Sequence, residues 1–512
     1  MTAPGDGSPA AASDPYDQLP YDDFAWQPSH PDQLAVVAHL RGLTPPDVAS
    51  ARILEIGCAN GGNLLPMAAA LPDAQLLGFD RSGVQIETAR AHARELGSSN
   101  LTFAQTDLED AAAMAALAET HGPFDYIIAH GLWGWVSAAA RAAVLGLIGR
   151  TLAPQGVAYL STDMLPGGRL RQMSRDLLVF HDKPDRALDW RLDQARAILR
   201  VVSEAAPEGS LHGVLLRAEA QKAARPTPSF LFHDRLAADY HPVLLSDLVA
   251  QAGAHGLRYL GDARPTEMVP DRLPDELAAA LDAGDAPLEM RLQYQDFVTR
   301  QTFRRVLFTR AGGPPLRWPL PADRLEGLHA RADVEVAGVT GDEVTGVEAE
   351  CFQALEAAWP GSLPLDALGG DAPRRARVRA VLRAAWLAGT ATLSTRPTAA
   401  AGTLGALPCA PRYARWQARR GETLVVNALH ALVRVEALHR VLLGACDGSR
   451  DALALLGVAV AAAEAGDLDV ERNGAPVTRP LELARAPADP VERALADLVR
   501  TGLLLREGAP GG

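Results

Sequence analysis

Short apolar runs alternate with amphipathic stretches between residues 51 and 310 of the chain. Five of these runs predict β-strands, at residues 51–57, 75–79, 101–105, 126–129 and 157–161. Helical patterns at residues 63–71, 82–96 and 138–152 lie between them. Strands separated by helices favour an α/β fold in which a parallel sheet carries helices on both faces.

Two later apolar runs extend this pattern. Residues 257–261 follow a helical stretch at 243–255, and residues 303–309 follow another at about 290–300, so both runs can join the same sheet. Residues 177–235, between the fifth and sixth predicted strands, predict a mainly helical insertion that covers the active-site edge of the sheet. Residues 311–323 (AGGPPLRWPLPAD) predict a linker, because Pro and Gly interrupt any periodic pattern.

The pattern changes after this linker. Helices are predicted at residues 348–359, 363–368 and 372–387, and a strand at 391–395, which is the element order of a winged-helix unit. A second helical set is predicted at 427–464, and Asn473-Gly474 is a two-residue hairpin signal. A plain helical bundle is the alternative interpretation of this C-terminal portion.

Composition excludes several classes of protein. The 512 residues are 48% hydrophobic and 22% charged, which excludes a disordered, collagen-like or disulfide-stapled chain. The formal charge is 49 − 62 = −13, so neither DNA nor an anionic membrane is the expected partner. Four cysteines without C-x-x-C spacing argue against a zinc site and suit a reducing compartment. No secretory signal or membrane-spanning run is evident, which predicts a cytoplasmic protein.

Candidate chemistry lies where the first three predicted strands end. The turn after the first strand is rich in small residues, with Gly57, Ala59 and Gly61 in EIGCANGGN. Small residues let the backbone approach a ligand closely. Asp80 closes the second strand and can accept hydrogen bonds from the hydroxyl groups of an adenosine ribose. Asp107 follows the third strand and can accept a hydrogen bond from the adenine amino group.

Two cofactors fit such an adenosine site. A nicotinamide dinucleotide needs a pyrophosphate loop, usually G-x-G-x-x-G, and Gly57-x-Ala59-x-x-Gly62 only approximates it. S-adenosyl-L-methionine carries no phosphate and has an ammonium group, so the carboxylate of Glu55 beside the loop is an advantage. The negative charge of Glu55 suits the ammonium group but would repel a pyrophosphate, and this favours S-adenosyl-L-methionine.

Several ordered segments of residues 16–310 carry a family resemblance. They are Tyr16-Asp17, Pro20-Tyr21, Ser29-His30-Pro31, LEIGCANGGNLLPMA (54–68), FDYIIAHGLWGWV (124–136), LAPQGVAYLSTDMLPGG (152–168), QYQDF (293–297) and FRRVLF (303–308). This part resembles class I S-adenosylmethionine-dependent methyltransferases. More narrowly, it is similar to the bacterial group with a methyltransferase regulatory domain, which includes the rickettsial protein lysine methyltransferases. The C-terminal portion more loosely resembles the winged-helix-like domain of that group.

The resemblance implies a fold and a domain order. The fold is a Rossmann-like class I methyltransferase sheet with a helical insertion, followed by a mainly α winged-helix-like domain. The predicted boundaries are a disordered tail (1–15), the cofactor-binding core (16–180), the insertion with the regulatory region and last strands (181–310), the linker (311–323) and the C-terminal domain (324–512).

The resemblance also implies roles for residues of the cofactor site. It implies that Gly57, Ala59 and Gly61 line the methionine part of the cofactor, with Glu55 nearby. In the same way, Asp80 binds the ribose, and Asp107 and Leu108 frame the adenine. Two positions depart from the family pattern, since Ala59 stands where Gly is usual and Asp163 where Asn is expected.

The residues that would bind the methyl acceptor are less clearly marked in the sequence. A lysine acceptor must first lose its proton, since its free pKa is about 10.4. His130 is either a base or a cap for the turn after the fourth strand. Asp163, Tyr16, Tyr21, Trp133 and Trp135 are the other candidates near the mouth. The tyrosines and tryptophans form either an aromatic wall for a cation or the packing of a lid.

Three hypotheses for the function stay open at this point. The first is methyl transfer to a protein side chain such as lysine. The second is the same chemistry on a small molecule, and the third is a cofactor-binding scaffold that has lost catalysis. Arginines cluster in the C-terminal portion at 374–383 and at 412–420, the latter interleaved with Tyr413 and Trp416. They favour docking of a protein substrate over DNA reading.

Overall fold

A computed structural model describes residues 14–22, 24–224, 227–333, 346–468, 471–472, 475–476 and 490–512. Residues 1–13 of the predicted tail and the hairpin signal Asn473-Gly474 lie outside the described residues. On either side of that signal, the two-residue strands Glu471–Arg472 and Ala475–Pro476 pair antiparallel.

Seven strands form the main sheet of the molecule. They are β1 (Arg52–Ile56), β2 (Gln75–Asp80), β3 (Leu101–Gln105), β4 (Phe124–Ala129), β5 (Leu152–Asp163), β6 (Leu257–Asp262) and β7 (Phe303–Arg310). Their spatial order is β3-β2-β1-β4-β5-β7-β6. The chain therefore starts in the middle of the sheet, builds outward to β3, and then returns past β1 to build the other half.

The prediction of a parallel sheet is correct for β1 to β5 and wrong for the last strand. Neighbours among the first five strands pair parallel, whereas β7 pairs antiparallel with both β5 and β6. The connection explains the difference. Two helices, Asp275–Ala283 and Leu288–Thr299, join β6 to β7. A second helix returns the chain to the edge at which β6 ended, so β7 runs in the opposite direction.

Helices cover the sheet and form the insertion. Those associated with the sheet are α1 (Pro15–Gln18), α2 (Pro31–Leu40), α3 (Leu64–Ala70), α4 (Gly83–Glu95), α5 (Ala111–His121) and α6 (Ala138–Thr151). The insertion and the region after it hold α7 (Gly168–His181), α8 (Leu188–Ala205), α9 (Leu211–Ala223), α10 (Pro228–Leu231), α11 (Leu245–Gly253), α12 (Asp275–Ala283) and α13 (Leu288–Thr299). Helix α5 was not predicted, although Asp110 caps it by accepting hydrogen bonds from the N–H groups of Ala112 and Ala113.

The sheet has one hydrophobic core on each face. Along β1, Ile53 belongs to one core and Leu54 to the other, and along β4 the same alternation separates Tyr126 from Ile127. Side chains of successive residues point to opposite faces of a sheet, so strands buried on both faces become almost continuously apolar. This burial fixes the register and holds the carboxyl ends of the strands in line.

The C-terminal portion contains short strands and further helices. Its elements are β8 (His329–Arg331), α14 (Val347–Ala358), β9 (Leu363–Pro364), α15 (Ala372–Ala388), β10 (Thr392–Ser394), α16 (Arg412–Arg419), β11 (Leu424–Val426), β12 (Leu432–Arg434), α17 (Ala437–Ala445), α18 (Ala452–Glu464), β13 (Glu471–Arg472), β14 (Ala475–Pro476) and α19 (Pro490–Arg500). Strands β10, β8 and β9 form one small sheet, and β11 pairs with β12.

Two predictions for this portion are wrong in detail. The second helical set was expected to begin at residue 427, but β11 and β12 form an antiparallel hairpin there and the first helix begins at Ala437. Asn427 stabilises the hairpin turn, because its Oδ1 accepts hydrogen bonds from the N–H groups of Leu429 and Ala431. Residues 363–368 form the short strand β9 and a single 3₁₀ turn instead of a helix.

Within the ranges that the structure describes, no helix is both long enough and apolar enough to cross a membrane.

Candidate functional site

A cavity of about 630 Å³ opens at the carboxyl ends of the parallel strands. Its lining includes Glu55 from β1, Asp80 from β2 and Asp107 from the loop after β3. The carboxyl ends of parallel strands meet at one edge, and the gap at the strand where the order reverses is the usual ligand position in open α/β sheets. The structure thus brings the three predicted acids to one cavity, while their roles in binding stay predictions.

The loop after β1 bends through three residues with positive φ. The φ angles are +73° at Gly57, +48° at Ala59 and +82° at Gly61. Gly57 and Ala59 line the cavity. Gly61 is not among the lining residues, and a Cβ placed there would lie 2.5 Å from Cζ of Phe103. Glycine at this position therefore allows close packing against Phe103, and its role in cofactor binding stays a prediction.

Asp80 ties the first two strands together at the cavity. Its Oδ2 accepts a hydrogen bond of 3.1 Å from the N–H of Ala59, and its Oδ1 accepts one of 3.0 Å from the N–H of Ser82. Burial raises the pKa of Asp80, and these two hydrogen bonds oppose the increase. Asp107 lies at the exposed rim, where its Oδ1 accepts a hydrogen bond from the N–H of Glu109.

A polar network that the sequence analysis missed holds Glu55. Nδ2 of Asn63 donates a hydrogen bond of 2.8 Å to Oε1 of Glu55. Oδ1 of Asn63 in turn accepts from the N–H of Trp26 and lies 2.9 Å from Nε2 of His430. Both Glu55 and Asn63 are buried. The asparagine was visible at the end of the GCANGGN loop, but nothing in the sequence pairs it with a residue 367 positions later.

The mouth of the cavity is built by the N-terminal segment and the insertion. Tyr16 stacks on His233 with ring centroids 4.2 Å apart, and the hydroxyl of Tyr21 donates a 3.2 Å hydrogen bond to Oδ1 of Asp234. Burial raises the pKa of both tyrosines and of Asp234. Sequence reasoning identified the two tyrosines but missed His233 and Asp234, which lie on a short π-helical turn of the insertion, Phe232–Leu236.

His130 is held by three neighbours. Its Nδ1 lies 2.8 Å from the hydroxyl of Tyr159 and 3.1 Å from Oγ of Ser161, and its ring stacks on Trp26 at 4.2 Å. Burial, with a smaller contribution from Arg305, lowers the pKa of His130 to about 3. The imidazole is therefore neutral near neutral pH and weakly basic, which favours a positioning role over general-base catalysis.

Asp163 lies at the end of β5 with a cationic partner. Its Oδ2 accepts a hydrogen bond of 3.0 Å from Nη1 of Arg171 on α7. Burial raises the pKa of Asp163 to about 6, although Arg171 opposes the increase. A carboxylate that titrates near pH 6 can exchange a proton in the neutral range, and this makes Asp163 a better candidate base than His130.

The two predicted tryptophans have different positions. Trp135 lines the cavity, with its ring centroid 5.1 Å from that of Tyr240 and the guanidinium of Arg175 5.2 Å from its ring. Trp133 is 2% exposed and packs in the hydrophobic core beneath the sheet, so it is not part of the cavity wall. Trp133 and Trp135 thus differ in position although both belong to the short turn Trp133–Trp135, and a role of Trp133 in substrate binding stays a prediction that its burial does not support.

The predicted basic helices and the possible metal ligands lie outside the cavity wall or apart from one another. Within the described residues, no group of three or more His, Cys, Asp or Glu side chains could hold a metal ion. Arg374 and Arg379 on α15 pair with Glu350 and Glu326, at 2.6 Å and 3.3 Å. Arg420, after α16, lies 3.3 Å from Glu95 of α4. These arginines thus form ion pairs within the chain, at side chains that are partly exposed.

Family models match three separate segments of the chain. A methyltransferase domain model matches residues 47–189, a predicted methyltransferase regulatory domain model matches residues 227–310, and a PKMT C-terminal winged helix domain model matches residues 407–503. The last match covers the second helical set, whereas the sequence pattern placed the winged-helix unit at 348–395.

Two curated relatives come from Rickettsia prowazekii. The uncharacterized protein RP789 is 32% identical over 298 residues, which are 58% of this chain and 53% of RP789, so the match spans about half of that relative. The uncharacterized protein RP028 is 31% identical over 222 residues, which are 43% of this chain and 86% of RP028.

Among solved structures, PKMT2 from Rickettsia typhi in complex with AdoHcy covers 95% of this chain and 100% of its own, with a TM-score of 0.80 and 22% identity. A second structure of PKMT2 has a TM-score of 0.81 at the same identity and coverage. These matches show that the folds agree. RP028 and the three family models show that the chain belongs to the class I methyltransferases with a methyltransferase regulatory domain.

Proposed function

We propose that this chain is an S-adenosyl-L-methionine-dependent methyltransferase whose acceptor is the side-chain amine of a protein lysine. The observation that supports it best is the composition of the cavity. Glu55, Asp80 and Asp107 line the end formed by β1 to β3, and Asp163 and Asp234 lie at the mouth. One end thus suits a nucleoside with an ammonium group, and the other suits a cationic acceptor.

The residues at the strand ends fit S-adenosyl-L-methionine. The carboxylate of Asp80 can accept hydrogen bonds from both ribose hydroxyls, as acids at the tip of a second strand do in nucleotide sites. Glu55, fixed by Asn63, offers a carboxylate to the ammonium of the methionine part. Asp107 and Leu108 line the same cavity, and we assign to them the contacts with the adenine ring.

When bound, S-adenosyl-L-methionine supplies an electrophilic methyl group on a sulfonium sulfur. The chain has to align the acceptor nitrogen with that methyl group and keep water out. Tyr16, Tyr21 and Trp26 of the N-terminal segment line the mouth together with Phe230 and His233 of the insertion. These rings supply the apolar wall that holds a lysine stem and excludes water.

The acids at the mouth suit the binding of an amine and the removal of its proton. Asp22, Asp163, Asp234 and Asp239 line the cavity, and an anionic mouth attracts an ammonium group. Removal from water lowers the pKa of a lysine amine, since burial disfavours its charged form. We assign the acceptance of the amine proton to the ionised carboxylate of Asp163, and the free electron pair of the nitrogen then faces the methyl group.

The test is transfer of tritium from methyl-labelled S-adenosyl-L-methionine into a lysate, followed by separation of proteins from small molecules and amino-acid analysis of the protein hydrolysate. The proposal expects label in methylated lysine. Label confined to the small-molecule fraction would contradict a protein acceptor. Absence of transfer to either fraction, together with intact binding of S-adenosylhomocysteine, would contradict catalysis and favour a scaffold role.

A further inference from the structure

A second cavity lies at the junction between the methyltransferase part and the C-terminal portion. It has a volume of about 80 Å³ and is bordered by α2, by β8 and β10, and by the turn between β11 and β12. The polar side chains that line it include His30, Asp32, Arg331, Ser394, Arg396 and His430. None of these residues lines the larger cavity described above.

Two guanidinium groups in this junction cavity lack a close counter-charge. Arg331 is 6% exposed, and within the described ranges neither Arg331 nor Arg396 has a carboxylate within the 4.0 Å of an ion pair. Nη1 of Arg396 and Oγ of Ser394 are buried and have no hydrogen-bond partner among the described residues. Leaving buried donors and charges unsatisfied is costly. The cavity therefore contains hydrogen-bond donors that a bound acceptor could satisfy.

Among the described residues that line the cavity, Asp32 is the one acid, and its charge acts on both guanidinium groups without forming an ion pair with either. Oδ1 of Asp32 accepts a hydrogen bond of 2.9 Å from the N–H of Thr395 and a second from its hydroxyl. Burial lowers the pKa of His30 to about 4, with Arg396 and Arg331 acting in the same direction, and burial lowers the pKa of His430 as well. Both imidazoles are neutral near neutral pH, and so the cavity carries a net positive charge even with Asp32 ionised.

We propose that the junction cavity is a binding site for a small tetrahedral oxyanion, represented by inorganic phosphate. Guanidinium groups bind such anions through paired N–H donors, and two arginines around one cavity give the geometry for several charge-assisted hydrogen bonds. A cavity of this size holds more than a single water molecule but is too small for a nucleotide. The hydroxyl of Ser394 supplies a further donor.

The occupant would join two parts of the chain. His30 and Asp32 belong to the segment that starts α2, whereas Arg331, Ser394 and Arg396 belong to strands β8 and β10 and the loop after β10. A ligand that contacts both sides and binds only the folded state stabilises their association by mass action. Binding of the anion requires no methyl transfer, so its test does not depend on the proposed function.

The test is isothermal titration of the full chain with inorganic phosphate in a phosphate-free buffer of low chloride content. We expect one saturable site per chain. Arg396→Gln is expected to weaken binding at least about tenfold, since a charge-assisted hydrogen bond is lost, and Arg396→Lys to weaken it less. Arg396 is chosen because replacement of the more deeply buried Arg331 risks unfolding. Arg434→Gln, at an exposed arginine of β12, is the matched control and is expected to leave affinity unchanged.

Three results would overturn the proposal. They are the absence of saturable binding up to roughly 10 mM phosphate, equal affinity of the parent chain and Arg396→Gln, and an equal loss in Arg434→Gln. A phosphoserine peptide serves as the second arm of the experiment. Because the cavity is small, the peptide is expected not to compete, and competition at the affinity of free phosphate would contradict a site for a free ion.

Discussion

Nε2 of His430 lies 2.9 Å from Oδ1 of Asn63, and this contact connects the C-terminal hairpin to the loop that follows β1. His430 is buried and adopts a φ of +57° in the turn between β11 and β12. Since Asn63 also donates to Glu55, a residue of the C-terminal portion helps to orient a carboxylate of the methyltransferase cavity. The two parts therefore share one polar network.

The first prediction concerns this network. His430→Ala removes one partner of Asn63, and loss of about 1 kcal/mol of hydrogen bonding should raise the dissociation constant for S-adenosylhomocysteine about fivefold. Isothermal titration measures the change. His439→Ala, on α17 and near Asp497, is the matched control and should bind as the parent chain does. Equal affinities for all three proteins would show that the contact does not orient Glu55.

The second prediction concerns Asp80. Asp80→Ala removes the acceptor for Ala59 and Ser82 and the expected acceptor for the ribose, so affinity for S-adenosylhomocysteine should fall at least about 100-fold. Titration against the parent chain checks this. Asp73→Ala, at an exposed acid between α3 and β2, should bind normally. Undiminished affinity in Asp80→Ala would refute the cofactor site.

The third prediction concerns the strained turn at Ala59. A residue with a side chain pays about 1–2 kcal/mol to adopt a left-handed conformation, and glycine does not. The greater entropy of glycine in the unfolded chain offsets part of this gain, so Ala59→Gly should stabilise the protein by up to about 1 kcal/mol, measured by chemical denaturation. Ala115→Gly, in the exposed middle of α5, should instead destabilise it by about 1 kcal/mol. A loss of stability in Ala59→Gly comparable with that of the control would contradict the assignment of strain.

The fourth prediction concerns pH. Since burial raises the pKa of Asp163 to about 6, its carboxyl group is protonated below that pH and ionised above it. If the ionised form accepts the lysine proton, kcat/KM should rise as the pH passes through about 6, and Asp163→Asn should lower kcat and abolish this inflection. Rates measured between pH 5 and 9 with saturating S-adenosyl-L-methionine provide the test. An unchanged inflection in Asp163→Asn would assign it to another group.

The fifth prediction concerns a buried ion cluster in the regulatory region. Arg304 lies 2.8 Å from Asp262 and 2.6 Å from Asp296, and all three side chains are at most 2% exposed. Arg304→Met leaves two uncompensated carboxylates and should cost about 3–5 kcal/mol of stability, measured as a shift of the denaturation midpoint. Arg94→Met, at an exposed arginine of α4, should change little. A shift no larger than that of the control would contradict a stabilising role for the cluster.

The sequence predicted the sheet well because burial on both faces leaves a strong local signal. The predicted and observed bounds of β3 coincide, and those of β2 differ by one residue. Two predictions were wrong for reasons that can be stated. Residues 424–434 contain both helix-forming and strand-forming residues, and only pairing across the turn favours the hairpin. The direction of β7 depends on how α12 and α13 pack, which periodicity does not reveal.

Some residues of the candidate site were predicted and others were missed, because only some of them leave a local signal in the sequence. Glu55, Asp80 and Asp107 follow strands, and their convergence is a consequence of parallel topology. Trp133 and Trp135 could not be separated, because two neighbouring rings have equal apolar character and only packing places one of them in the core. His233 and Asp234 lie more than 200 residues from the tyrosines they contact, so no local pattern identifies them.

The amino-acid sequence by itself determined where the seven strands of the main sheet lie along the chain, the acids at three strand ends and the family resemblance, because each of these depends on residues that are near one another in the chain. Tertiary structure alone decided which ring faces the cavity, which acid acquires a raised pKa through burial, and that His430 reaches Asn63. These properties depend on desolvation and on contacts between distant segments, and they arise only when the chain has folded.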